Sequence, residues 1–242
     1  MAKIETYARP ALLYRYRSLG TRRTPSGTVR ADPMMIDREL EAIKRHYVYC
    51  PTYPEMNDPM EGIYAATLRV KEKSDYQDFV ADVQNEKLSL GIASFSETWD
   101  NELMWAHYAD GFRGICIAYS VTKLLEGLND ADASLARIVY GDRPYSLNTS
   151  GHQNQDRSRA ILSTKNLKWS YEREWRLFAS ERGRAQYLEG TVRHVWLGAR
   201  MHLSDRREVS ARIKKMGVDV RRTFVDGYSV ERRPPLKNSS HP

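Results

Sequence analysis

The sequence predicts an α+β fold, a single domain over residues 1–232 with mixed or antiparallel sheet flanked by helices, followed by a disordered tail over 233–242. Three observations predict it. Some windows carry apolar residues at helical spacing and others alternate as strands do. The two kinds interleave irregularly, without the strict strand–helix repeat of a parallel doubly wound sheet. The 242 residues, 41% of them hydrophobic, suffice for a packed core.

Leu12 to Ser18 reads as a strand, with Tyr14 and Tyr16 on one face and Arg15 and Arg17 on the other. Gly20 to Pro33 has no period and reads as a loop. Asp37 to Lys44 is helical with Asp37 as N-cap, and Tyr47 to Cys50 is a short strand. Pro51, Pro54 and Pro59 then predict a rigid extended loop. Ile63 to Val70 reads as a strand. Asp75 to Leu88 is an amphipathic helix, with Tyr76, Phe79, Val80 and Val83 at helical spacing. Gly91 to Ser96 and Gly114 to Ser120 are near-continuous apolar runs, the pattern of buried strands. Between them Asn101 to Ala109 is a helix capped by Asp100. Pro144 to Asp156 is polar and aperiodic and reads as a loop, and a helix follows from Arg157 to Lys165. Strands are expected over Glu172 to Ser180 and Val192 to Leu197. Ser204 caps a helix over Asp205 to Met216 that Gly217 ends. Val218 to Val225 and Tyr228 to Arg232 close the fold as strands.

Composition narrows the function classes. No apolar run nears the roughly 20 residues of a spanning helix, and Met1 to Pro10 lacks the apolar centre of a secretory signal. The expectation is a cytoplasmic protein with no membrane partner. Cys50 and Cys116 make neither a disulfide framework nor a zinc site, and no metal is expected. The formal net charge of +7 favours anionic partners such as nucleic acid, phosphates or a dinucleotide.

Five motifs carry polar side chains that need an explanation. Arg15 and Arg17 present planar donor forks suited to phosphate, or form a solvated basic face. Asn57-Asp58-Pro59-Met60-Glu61 has the residues of a turn and also three groups that could line a site. Ser94 and Ser96 point the same way from an apolar strand and need partners. Leu103 to Gly111 is dense in large side chains, among them His107 and Tyr108. Finally, in Trp169-Ser170-Tyr171-Glu172-Arg173-Glu174-Trp175-Arg176, extended geometry puts Glu172, Glu174 and Arg176 on one face. Two carboxylates so placed repel unless compensated. Compensation would come from Arg176, from Arg15 and Arg17, or from a substrate that develops positive charge.

Taken in order from Leu13 to about Phe178, these motifs resemble the bacterial family called domain of unknown function 2971. That family's Tyr-Arg-rich start, Asn-Asp-Pro turn, Ser strand, Met-Trp-x-x-Tyr helix and Lys-x-x-x-Trp-x-Tyr-Glu-x-Glu-x-Arg segment find counterparts here, the last in Lys165, Trp169, Tyr171, Glu172, Glu174 and Arg176. The family name implies no activity. A second resemblance, at motif level, is to the ADP-ribosyltransferases, which share an early-strand Arg, a Ser-Thr-Ser-like strand and a Glu-x-Glu. Here these are Arg15 or Arg17, Ser94-Phe95-Ser96 with Phe in place of Thr, and Glu172-Arg173-Glu174.

That resemblance implies an ADP-ribosyltransferase-like fold and NAD as substrate. It makes Glu174 the carboxylate beside the reacting ribose and Glu172 the group that orients or deprotonates the acceptor. Arg15 or Arg17 would hold the dinucleotide, Ser94 and Ser96 would brace the cleft, and Tyr108 or Tyr171 would stack on nicotinamide. The acceptor would be a protein or nucleic acid, in a toxin, effector or phage-defence setting. Two alternatives stand beside it: a defence protein that binds nucleic acid or cleaves it with Mg²⁺ on the carboxylates, and a non-enzymatic interaction domain in which the motifs form a buried ionic network.

Overall fold

The expected α+β class is the class observed. A computed structural model describes residues 9–128, 133–147 and 154–232. The expected tail over 233–242 and residues 148–153 of the expected loop lie outside them.

In chain order, β1 (Leu12–Arg17), β2 (Thr21–Arg23) and β3 (Val29–Ala31) precede α1 (Pro33–Lys44). Next come β4 (Tyr47–Cys50), β5 (Tyr64–Ala66), α2 (Leu68–Lys71), α3 (Tyr76–Ser89) and β6 (Gly91–Ser96). The middle holds α4 (Glu102–Tyr108), β7 (Ile115–Ser120), α5 (Val121–Gly127), β8 (Ser134–Arg137), β9 (Val139–Gly141) and β10 (Tyr145–Leu147). The last third is α6 (Asn154–Ile161), β11 (Thr164–Asn166), β12 (Glu174–Ala179), β13 (Gly183–Gln186), β14 (Val192–Leu197), α7 (Leu203–Lys215), β15 (Asp219–Asp226) and β16 (Ser229–Arg232). The chain divides into two compact units. Unit 1 comprises Met1–Leu13, Arg45–Glu97 and Ser120–Thr191; unit 2 comprises Tyr14–Lys44, Thr98–Tyr119 and Val192–Pro242.

Unit 1 is organised on an antiparallel β6–β12–β8 sheet. Ile92 on β6 and Phe178 on β12 pack with Leu90 and Leu162 as one buried cluster. Val83 of α3, Ile161 of α6 and Leu147 form a second. Gly91 has no room for a side chain, because a Cβ there would meet the carbonyl oxygen of Glu181 at 2.2 Å. Four sequence expectations are corrected in this unit. The proline-rich stretch contains a 3-10 turn at Tyr53–Glu55 whose start is closed by the Glu55 carboxylate on the Thr52 amide. The strand expected over Ile63 to Val70 ends at Ala66, and Thr67 starts α2. The helix expected over Arg157 to Lys165 is α6, ending at Ile161, and Thr164–Asn166 is a strand. The strand expected from Glu172 begins only at Glu174. Residues Leu167–Glu172 form a 3-10 helix capped by Asn166, which accepts from the Lys168 amide, and Arg173 turns the chain with φ 44°.

Unit 2 has a parallel β14–β15 pair joined across α7, with β16 antiparallel to β15 and β7 antiparallel to β14. Its centre is aromatic. Trp99 stacks on Trp196 at 3.8 Å and Tyr16 meets Trp105 edge-on at 5.3 Å. The stretch from Gly20 to Pro33, expected to be loop, holds the β2–β3 hairpin. It is tied down by Asp205 of α7, which accepts from Arg30 and from the Ala31 amide. Helix starts are also corrected. Helix α1 opens at Pro33, with Asp32 accepting from the Met34 amide. Helix α4 is capped by Asn101, which accepts from the Leu103 and Met104 amides, and α7 by His202, which accepts from the Ser204 amide.

Candidate functional site

The β6–β12 register sets the site in unit 1. Glu174 lies opposite Ser96 and Arg176 opposite Ser94, so the Ser-x-Ser and Glu-x-Glu motifs become neighbours. Ser96 donates its hydroxyl to the Glu172 carbonyl at 2.7 Å, and Ser94 bonds the Glu174 carboxylate. Strand alternation does not align Glu172 with Glu174, because Glu172 sits in the 3-10 helix. The left-handed turn at Arg173, a conformation rare for a residue with a side chain, swings the Glu172 carboxylate back instead. Both carboxylates then meet on Lys165, whose ammonium lies 2.7 Å from Glu172 Oε2 and 3.2 Å from Glu174 Oε2.

Arg176 closes the other side. Its Nε and Nη2 donate to the two oxygens of Glu174 at 2.7 and 3.1 Å. Its Nη1 and Nη2 form a fork on Glu61, and Nη1 also donates to the Leu162 carbonyl. All five guanidinium N–H groups are thereby used. The cluster is deep: Glu174 is 3% exposed, Glu172 3%, Lys165 8%, Glu61 9% and Arg176 0%. Two half-buried aromatics flank it. Lys165 Nζ lies 4.8 Å from the Trp169 ring centre, and Tyr171 lies beside Trp169. The Tyr140 hydroxyl accepts from the Glu174 amide at 2.8 Å.

The electrostatics follow from this packing. Burial alone would push the Glu174 carboxyl up, but the charges of Arg176 and Lys165, with hydrogen bonds from Arg176 and Ser94, outweigh it and hold the group down at about 2. Burial would likewise lower Lys165, yet Glu174 and Glu172 raise it and keep it charged. Burial raises the Tyr140 phenol. Lys87, from α3, is also buried and is pushed down by desolvation against the opposing charge of Glu61. It donates to the Gly62 carbonyl at 2.8 Å.

The expected site residues divide between the units. Glu172, Glu174, Ser94, Ser96 and Tyr171 come together in unit 1, while Arg15, Arg17 and Tyr108 belong to unit 2. Arg17 is engaged there by both oxygens of the buried Glu39, at 2.7 and 2.6 Å. His107 and Tyr108 sit at the end of α4, their rings 6.3 Å apart. Asp58 does what its turn motif predicts, accepting from the Met60 amide, and Asn57 is exposed. Lys165 and Tyr140 had no role predicted from the sequence, and Glu61 was expected only as a turn residue or a group lining a site, not as the partner of Arg176. Lys165 was visible as a motif position, but Glu61 meets Arg176 across 115 residues and nothing local announces that pairing. Among the described residues no group of three or more His, Cys, Asp or Glu is arranged to hold a metal, and no helix is long and apolar enough to cross a membrane.

Residues 104–177 match the model of a family described as protein of unknown function (DUF2971). The match runs from α4 to β12 and takes in the Lys165, Glu172, Glu174 and Arg176 cluster. No curated protein and no solved structure matches the chain.

Proposed function

We propose that the chain is an NAD-dependent mono-ADP-ribosyltransferase-like enzyme whose charge-stabilising centre is the Glu172–Glu174 pair of unit 1. One observation carries the reading: two carboxylates from a Glu-x-Glu converge on a single cationic group beside a Ser-x-Ser strand. A site that stabilises an oxocarbenium-like ribose needs a fixed anion that stays ionised. Glu174, held near 2 and braced by Ser94, has that character. In the resting protein Lys165 supplies the positive charge that the carboxylates face. The half-buried rings of Trp169 and Tyr171 offer the kind of surface on which nicotinamide stacks.

In the step proposed, the bond between ribose C1′ and the nicotinamide nitrogen breaks, and nicotinamide leaves with the electron pair. An acceptor nucleophile bonds to C1′ and Glu172 takes its proton. A protein or nucleic-acid acceptor would place the reaction in a toxin, effector or phage-defence setting. Nicotinamide release from NAD tests the reading. The wild-type protein is expected to release it, with or without protein and RNA acceptors, and Glu174→Gln to lower the rate by about a hundredfold or more. A folded wild-type protein that binds NAD and releases no nicotinamide with any acceptor contradicts it.

A second reading is favoured by the saturation of Arg176. Its five N–H groups and both oxygens of Glu174 are already bonded, the signature of an ionic core that holds β12 to the Glu61 turn. Under that reading Glu174→Gln lowers the melting temperature and changes no turnover, because there is none to change.

A further inference from the structure

Unit 2 contains a cavity of about 500 Å³, within the range of small-ligand sites. Its walls include Arg200, Arg206, Arg222, Phe112, Phe224 and Val225, and among the described residues no carboxylate lines it. The place in the fold is informative. Strands β14 and β15 are parallel and joined through α7, with Leu197 paired to Arg222. The cavity sits where β14 runs out into Gly198, Ala199 and Arg200, against the later half of β15. In parallel strand–helix–strand units this is the end at which ligands are bound, because the chain splays there towards the helix N-terminus.

The cavity is also firmly built. Arg206, in the first turns of α7, donates to the Ala199 and Met201 carbonyls at 3.1 and 2.9 Å and so fixes the loop carrying Arg200. Thr223 donates to the Leu197 carbonyl at 3.0 Å and locks the two strands. The chain through Asp110, Gly111 and Phe112 has positive φ three times running, 50°, 57° and 68°. For a bulky residue such as Phe112 that conformation is strained. It is held by the Arg200 amide, which donates to the Phe112 carbonyl at 2.9 Å, and by Gly198, where a Cβ would stand 2.2 Å from the same oxygen. The fold thus spends backbone strain to set an aromatic ring in a wall that also carries arginines.

We propose that this cavity binds a nucleoside phosphate, with the exposed guanidinium groups of Arg200 and Arg222 on the phosphate and Phe112 and Phe224 against the base. Arginine supplies planar paired donors to phosphate. Aromatic faces accept any base by stacking. The same chemistry is presented by a free nucleotide and by one unit of a nucleic-acid strand. The inference uses unit 2 alone and does not depend on the carboxylate cluster of unit 1.

Calorimetric titration of the full-length protein with AMP, inorganic phosphate and a short single-stranded RNA, each against wild type and an Arg200→Ala/Arg222→Ala double variant, tests it. Both arginines are exposed, so the double variant is expected to keep the wild-type melting temperature. AMP or the RNA is expected to bind saturably, and the double variant to bind at least about tenfold more weakly, a loss of about 1.4 kcal/mol. Tight AMP binding assigns the site to a free nucleotide, and binding of RNA alone assigns it to a strand. If inorganic phosphate binds as well as AMP and RNA, if the double variant binds like wild type, or if nothing binds, the proposal is overturned.

Discussion

Arg176 is the residue on which unit 1 depends most. It is fully buried and neutralises part of the charge of Glu61 and Glu174 together. Replacing it with Met keeps most of the volume but strands two buried carboxylates. Breaking a buried pair from one side costs about 3–5 kcal/mol, so urea unfolding of Arg176→Met should show a loss of that size. The triple change Arg176→Met/Glu61→Gln/Glu174→Gln should recover part of it. Acid should act through Glu174 with a defined sign. Its folded value, about 2, lies below the ordinary 4.5, so its stabilisation is complete above pH 4.5 and is lost as pH falls towards 2. Stability measured down that range should fall in wild type, and the fall should be smaller in Glu174→Gln. Much of this was legible in the sequence. Glu172, Glu174 and Arg176 stand within five residues, and Arg176 was among the groups expected to compensate the carboxylates, as it does for Glu174. Lys165 as the shared cation and Glu61 as the distant carboxylate on Arg176 were not legible, because neither spacing nor alternation reports contacts made by folding the chain back.

At the scale of elements, regular strands and the longer helices were readable and their ends were not. β6 and β7 were found because buried strands need apolar runs. The helix caps shifted by one to five residues because several capping side chains compete locally, such as Asp100 against Asn101 and His202 against Ser204. Glu172 was placed on a strand because alternation assumes extension, and Arg173 turns left-handed instead. The β2–β3 hairpin lacks an apolar pattern of its own and owes its place to Asp205, 174 residues away from Ala31. Two glycine changes separate close approach from backbone conformation. Gly198→Ala forces a methyl group onto the Phe112 carbonyl and should cost about 3 kcal/mol or more in thermal unfolding. Gly217→Ala, at φ +75° with open space around it, should cost about 1 kcal/mol. Strand β14 also carries an acid-sensitive group. Burial lowers His194 to about 4, helped by the charge of Arg221 and opposed by Asp219. Its neutral form stabilises unit 2 above pH 6.5, and that contribution is lost as pH falls towards 4. Fluorescence of the Trp99–Trp196 stack should therefore report loosening of unit 2 at milder acidity than the loss tied to Glu174.

At the scale of the molecule, charge is divided unevenly. Unit 2 holds 20 Lys and Arg against 12 Asp and Glu, whereas unit 1 holds 18 against 19. The sequence total of +7 hid this division, since the two units are interleaved along the chain. The proposed nucleotide cavity lies in the basic unit, so binding there should weaken steeply with added salt. The carboxylate chemistry belongs to the near-neutral unit. The measurement that tests this account most directly is nicotinamide release from NAD by Glu172→Gln, at a temperature where circular dichroism shows it as folded as wild type. The account predicts a wild-type protein that turns over and a folded variant that has lost about a hundredfold or more of that rate. A folded Glu172→Gln protein with the wild-type rate, or a wild-type protein with no rate at all, would contradict it.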